Sequence, residues 1–109
     1  MTVVQTAVQA YGERLEAEGF VHSLRCGSDL GDLDITRQWR RPMPVAGGSV
    51  VECLWVTSQG YLAVELDIDV PGYRYSSCIG CPSTTVDLAL EQLGIFVASI
   101  RDEAARVSA

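Results

Sequence analysis

The chain contains no lysine and no asparagine, and all eight of its basic residues are arginine. With 14 acidic residues, its formal net charge is −6. Both missing residues have A/T-rich codons, so we attribute their absence to the base composition of the coding DNA. An acidic chain without a basic stripe binds nucleic acid poorly, because neutralising phosphates supplies most of that affinity. We therefore expect no nucleic-acid partner.

Long hydrophobic runs are also absent. No apolar run approaches the roughly 20 residues that cross a bilayer, and the N-terminus lacks the basic and then apolar profile of a signal peptide. We therefore expect no membrane partner and a cytoplasmic location. An apolar content of 48% with an ordinary charge content is typical of a folded chain. A length of 109 residues suits one core, so we expect a single α+β domain over residues 1–109.

The clearest positive pattern is a predicted hairpin over residues 49–70. Its second half alternates between apolar and polar residues, which is the period of a strand with one dry face. The residues of that face are Leu62, Val64, Leu66, Ile68 and Val70. Between the two halves, Gln59-Gly60 fits a two-residue turn that pairs Ser58 with Tyr61.

This register assigns each side chain of the first half to a face of the sheet. It directs four residues toward the core, namely Val51, Cys53, Trp55 and Thr57. The outer face then carries apolar and acidic side chains together, and an apolar strip rimmed by charge is a candidate docking surface. Its predicted protein-binding residues are Leu54, Val56, Tyr61, Glu65 and Asp67.

Helices are predicted at the two ends of the chain. The first covers residues 2–18, with Thr2 as the N-cap and Gly19 as the stop. The last covers residues 83–106, with Ser83 or Thr84 as the cap. Its apolar stripe is widened by Leu88, Ile95 and Phe96. Two explanations of this surplus stay open. It is a second partner surface, as in a homodimer, or it is covered by the first helix or the proline-rich loop.

Strands fill the region between the helices. Besides the hairpin they are predicted at residues 20–26, 32–41 and 73–77, with a connecting loop at 42–48 that contains two prolines. The order is α-β-β-β-β-α with a short fifth strand. We expect an α+β two-layer sandwich, in which both helices pack on one face of an antiparallel sheet of four or five strands. This order resembles that of double-stranded-RNA-binding domains, but without their basic character the resemblance implies no function.

Four cysteines allow a thiol-based alternative. Cys78 and Cys81 form a C-x-x-C pair ahead of the last helix, and a thiolate at a helix N-terminus is stabilised by the helix dipole. The pair could be redox-active or supply part of a zinc site. A site that uses all four cysteines is disfavoured, because Cys26 and Cys53 are predicted two strands apart.

Catalytic signatures are few. His22 is the only histidine, and its place on the predicted core face indicates a hydrogen-bonded core residue. The glycine pair at residues 47–48 lacks the lysine of a phosphate-binding loop. We therefore expect a non-enzymatic protein-interaction module, such as an adaptor, inhibitor or chaperone-like subunit, that uses the outer sheet face and the last helix. We expect no cofactor unless the cysteine pair holds zinc.

Overall fold

The computed structural model describes residues 2–27 and 34–108. In chain order, one helix comes before five strands and a second helix follows them. The strands form one antiparallel sheet in the chain order β1-β2-β3-β4-β5. The elements are α1 (Val3–Ala17), β1 (Val21–Gly27), β2 (Asp34–Val45), β3 (Gly48–Val56), β4 (Leu62–Asp69), β5 (Ser77–Ile79) and α2 (Val86–Ser108). The predicted α+β sandwich with an antiparallel sheet is confirmed.

Side-chain caps fix where both helices begin. Thr2 Oγ1 accepts the Gln5 N–H at 3.0 Å, and Gln5 Oε1 accepts the Thr2 N–H at 2.9 Å, so the predicted cap of α1 is confirmed. In α2, Thr85 Oγ1 accepts the N–H of Leu88 at 3.1 Å. The helix therefore begins at Val86, later than predicted. Neither helix in the described ranges combines the length and hydropathy that a membrane span requires.

The predicted proline loop is wrong, because β2 continues through it as far as Val45. Pro42 pairs with Val51 and Pro44 with Ser49 of β3. On the other side of β2, pairing with β1 stops at Arg40. Residues 41–45 therefore form a sheet edge on that side, where a proline that lacks an N–H costs no ladder hydrogen bond.

A three-residue turn, not a two-residue one, closes the central hairpin. The Thr57 N–H donates to the Tyr61 carbonyl at 2.8 Å, and the Gly60 N–H donates to the Thr57 carbonyl at 2.9 Å. Gly60 has a φ of 86°, and no described residue other than glycine has a positive φ. This geometry is the three-residue hairpin with glycine in the left-handed position. It pairs Val56 with Leu62, so the predicted register is wrong by one residue.

The one-residue shift reverses both faces of β3. Val50, Leu54 and Val56 are buried with the dry face of β4, beneath the helices. Cys53 and Trp55 lie on the opposite, outer face, where Cys53 is also buried. The core cluster joins these strands to Leu15 of α1 and to the buried stripe of α2, which consists of Val86, Ala89, Leu93, Val97, Ile100 and Ala104.

The shift also turns Glu52 toward the helices. Its side chain is only 3% exposed, and its carboxylate accepts the Arg41 Nε–H at 2.8 Å. The same guanidinium donates to the Glu18 carbonyl at 2.7 Å and lies 4.4 Å from the centroid of the Phe20 ring. One arginine therefore compensates a buried charge and fastens the C-terminal end of α1 to the sheet.

His22 lies on the core face of the sheet, as predicted, but outside the core itself. Its ring is exposed and stacks on buried Trp39 with the ring centroids 5.0 Å apart. It pairs with Trp39 across β1 and β2, near the start of β1. The side chain of Cys26, on the same strand, lies outside the described part of the structure.

Removing Arg41 should destabilise the fold strongly. In Arg41→Met the Glu52 carboxylate keeps its burial and loses its cation, so we expect the free energy of unfolding to fall by about 3 kcal/mol. The double variant Arg41→Met/Glu52→Met removes the buried charge as well and should recover most of that loss. Urea unfolding at neutral pH measures both. A double variant no more stable than Arg41→Met would contradict this account.

Candidate functional site

The residues predicted to bind a partner on the outer sheet face do not form one surface. Leu54 and Val56 are buried between the sheet and the helices. Tyr61 is exposed beside the turn, while Glu65 and Asp67 lie on the outer face as predicted. Glu65 is buried there and Asp67 is half-buried. The apolar half of the predicted docking strip is therefore part of the core.

A polar cluster occupies the middle of the outer face. Arg40 Nη2 lies 3.3 Å from Asp67 Oδ2, and the Cys53 Sγ lies 3.7 Å from the same oxygen. Burial raises the pKa of the Cys53 thiol to about 12, and the charge of Asp67 acts in the same direction. The thiol therefore stays protonated at neutral pH and is a poor nucleophile. This cluster is a packed part of the sheet and not a reactive centre.

The cysteine pair does not lie at the N-terminus of the last helix. Cys78 belongs to β5 and pairs with Leu66, and the chain continues along β4 afterwards. The Gly80 N–H donates to the Val64 carbonyl at 3.0 Å, and Ser83 pairs with Leu62. Cys81 and Pro82 together oppose Ala63, which is the arrangement of a β-bulge. The predicted placement at the helix dipole is wrong, since this strand extension separates Cys81 from Val86.

Cys81 is held beside the second turn of α2. The Cys81 N–H donates to Gln92 Oε1 at 2.8 Å, and Gln92 Nε2 donates to the Cys81 carbonyl at 3.0 Å. The Gln92 amide thus replaces a neighbouring strand at this residue. Gly80 makes the contact possible, because a Cβ there would lie 2.3 Å from Gln92 Oε1 and 2.4 Å from Val64 Cγ2.

Metal ligands do not gather around this pair in the described ranges. Within residues 2–27 and 34–108, no group of three or more His, Cys, Asp or Glu side chains could hold a metal ion. Zinc sites in proteins have three or four protein ligands. Two thiols alone fall short of that number, and the zinc hypothesis rests on them alone.

The exposed face of α2 carries the apolar surplus that the sequence predicted. Leu88 is 52% exposed and Ile95 is 62% exposed, on the side of the helix turned away from its buried stripe. Exposed Glu91 and Asp102 lie on the same side. No ion pair in the described structure involves either acid. We call these four residues the outer stripe of α2.

A groove that the sequence did not reveal lies between β5 and α2. It has a volume of about 310 Å³. Its walls are mostly apolar and aromatic, and they consist of Ile68, Tyr73, Tyr75, Ser77, Cys78, Phe96, Ser99 and Ile100. We call it the edge groove. The alternation of Tyr73 and Tyr75 is its one sequence signal, and it indicated a strand rather than a groove wall.

Comparisons with known proteins add no information on function. The chain matches no protein-family model, no curated protein and no solved structure. Function must therefore be argued from the outer stripe of α2 and the edge groove themselves.

The raised pKa of Cys53 predicts a loss of stability at alkaline pH. The unfolded chain ionises this thiol near its ordinary pKa of 9.0, whereas the folded chain keeps the proton until about pH 12. Its contribution to stability is complete below pH 9 and disappears as the pH rises through about 12. Cys53→Ala should lose less stability than the natural protein between these values.

Urea unfolding at a series of alkaline pH values measures this difference. The difference between the stability curves of the natural protein and Cys53→Ala reports on Cys53. Cys53→Ser also lacks the thiol and should behave like Cys53→Ala. Parallel stability curves for the natural protein and both variants would contradict the assignment.

Proposed function

We propose that this protein is a non-enzymatic protein-interaction module that binds its partner through the outer stripe of α2. The observation that carries the proposal is the exposure of Leu88 and Ile95 on one face of a long helix whose other face is already packed. A helix buries one apolar stripe against its own core, so a second apolar stripe favours a partner. An adaptor, an inhibitor or a chaperone-like subunit would all use such a surface.

The contacts of α2 with its own chain leave the outer stripe uncovered. α1 approaches from one side, where Arg14 Nη2 lies 2.7 Å from Asp87 Oδ1. The proline-containing end of β2 approaches through Arg101, whose Nη2 donates to the Pro44 carbonyl at 3.4 Å. Both approaches leave Leu88 and Ile95 more than half exposed. Neither of the covers considered from the sequence therefore hides the stripe.

Charge favours a basic partner over a second copy of the chain. Neither Glu91 nor Asp102 forms an ion pair within residues 2–27 and 34–108, so both bring a carboxylate to the stripe, and the whole chain carries a net charge of −6. Two copies would bring like charges together, whereas a partner with apolar residues flanked by lysine or arginine would complement both features. We therefore propose a partner of that chemistry, and self-association becomes an outcome of the test.

The remaining surfaces support this function less well. Leu54 and Val56 are buried in the core and not on the outer sheet face. In the polar cluster of that face, Arg40 and Cys53 both contact Asp67. The thiol alternative at Cys78 and Cys81 has lost the helix N-terminus that motivated it. Neither surface combines exposed apolar residues with unpaired charge as the outer stripe does.

Reversing the character of the stripe should abolish partner binding. In Leu88→Glu/Ile95→Glu, two buried interface anchors are lost, and we expect the affinity for the purified partner to fall at least about thirtyfold. Val3→Glu/Val21→Glu is a matched control, because it adds the same charge at residues that are 62% and 67% exposed elsewhere on the surface. It should bind normally.

The partner is identified first. It is the protein that the natural chain and the control retain but that the stripe variant, Leu88→Glu/Ile95→Glu, does not retain. Calorimetry with the purified pair then gives the affinities. Equal binding by all three proteins would refute the proposal. Analytical ultracentrifugation measures self-association. If the natural chain and the control are dimers and only the stripe variant is a monomer, the surface binds a second copy, and the proposal of a basic partner is wrong.

A further inference from the structure

We infer that the free edge of β5 accepts an extended peptide segment as a sixth strand, with one apolar side chain of that segment in the edge groove. The inference rests on the proposed function in taking a protein as the partner, but it uses a surface separate from the outer stripe of α2.

Hydrogen bonding along β4 shows which backbone groups of β5 face outward. Gly80 and Val64 form a hydrogen-bonded pair, and the Ile68 N–H donates to the Ser76 carbonyl at 2.8 Å. In an antiparallel ladder such pairs alternate with pairs that do not hydrogen bond to each other. Ser77 and Ile79 are in the second class, so their N–H and C=O groups point away from β4.

No described strand takes up these groups, because β5 is the last strand of the sheet. Proteins commonly protect such an edge with charged side chains, prolines or a bulge. β5 has the sequence Ser-Cys-Ile and no charge, and Ile79 is 69% exposed. The edge is protected only beyond Ile79, by the bulge and by the Gln92 amide, which hydrogen bonds to the N–H and the C=O of Cys81. At this edge of the sheet, the unprotected stretch is therefore confined to β5.

The edge groove lies where a side chain of an added strand would point. Residues that are opposite each other on neighbouring strands share a face of the sheet. Cys78 lines the groove, so the residue opposite Cys78 on an added strand would enter it beside Tyr75 and Phe96. The backbone edge and the groove together fit an extended segment better than a helix or a small molecule.

The lining of the groove and the charge of the chain give the chemistry of the segment. The walls are aromatic and aliphatic, which selects an apolar residue such as phenylalanine or leucine at the position opposite Cys78. Its neighbours would point to the outer face beside Ser77 and Ile79. A net charge of −6 favours basic residues there.

A set of terminally blocked seven-residue peptides tests the inference. Each carries Phe or Leu at its centre, with Arg alternating with Thr on either side. Titration into the ¹⁵N-labelled protein should shift the amides of Ser77 and Ile79 most, and should slow their hydrogen exchange. The inference is wrong if no peptide of the set binds at about 1 mM, or if the shifts centre on another surface.

Two variants separate the backbone edge from side-chain packing. Ile79→Pro removes an outward N–H and leaves the pairing of Cys78 with Leu66 intact, so the fold should tolerate it. We expect peptide affinity to fall about tenfold in Ile79→Pro. Ile79→Ala keeps the N–H and should change the affinity less than about threefold. Equal affinity for both variants would overturn strand addition.

A peptide N-methylated at the residues flanking its centre leaves the protein untouched and should also lose binding. This measurement decides the matter if Ile79→Pro fails to fold. The stripe variant Leu88→Glu/Ile95→Glu should still bind the peptides. If the peptides bind but Leu88→Glu/Ile95→Glu still binds the partner normally, only the proposed function is refuted. If Leu88→Glu/Ile95→Glu loses the partner but no peptide binds, only strand addition is refuted.

Discussion

The turn between β3 and β4 is the constraint on which the rest of the structure depends. With Gly60 in the left-handed region and its N–H bonded to Thr57, the loop holds three residues, and β3 is fixed against β4 in one register. A shift of one residue would exchange the two faces of β3, sending Leu54 outward and Cys53 toward the helices. The composition of both faces of β3 depends on that choice.

The same register places a carboxylate beneath α1 and thereby creates a requirement for Arg41. Burying Glu52 without a cation would cost several kcal/mol, and Arg41 meets the requirement while it also bonds the end of the helix. Arg41 lies beside Glu52 because these two residues pair across β2 and β3, and β2 then continues through two prolines, which a strand can do only at an edge. The helix layer and the sheet are joined by polar contacts as well as by apolar packing.

Both proposed contacts use α2, because the outer stripe is one of its faces and Phe96, Ser99 and Ile100 of the same helix line the edge groove. Here the molecule protects some groups and leaves others free. Gln92 hydrogen bonds to the backbone of Cys81, while the outward N–H and C=O groups of Ser77 and Ile79 are available to an added strand. α2 buries one stripe and exposes another. A partner that supplied both a basic apolar surface and an extended segment would satisfy the two together.

The sequence by itself determined the α+β class, the dry face of β4, the cap at Thr2 and the excess apolar surface of α2, because each follows from local periodicity or from a neighbouring side chain. Only the tertiary structure decided the register of β3, the burial of Glu52 and the path of the Cys78 segment. A glycine after Ser58-Gln59 permits turns of two or three residues, and packing of the whole core selects between them. The edge groove was hidden for the same reason, since its walls come from segments that are distant in the chain.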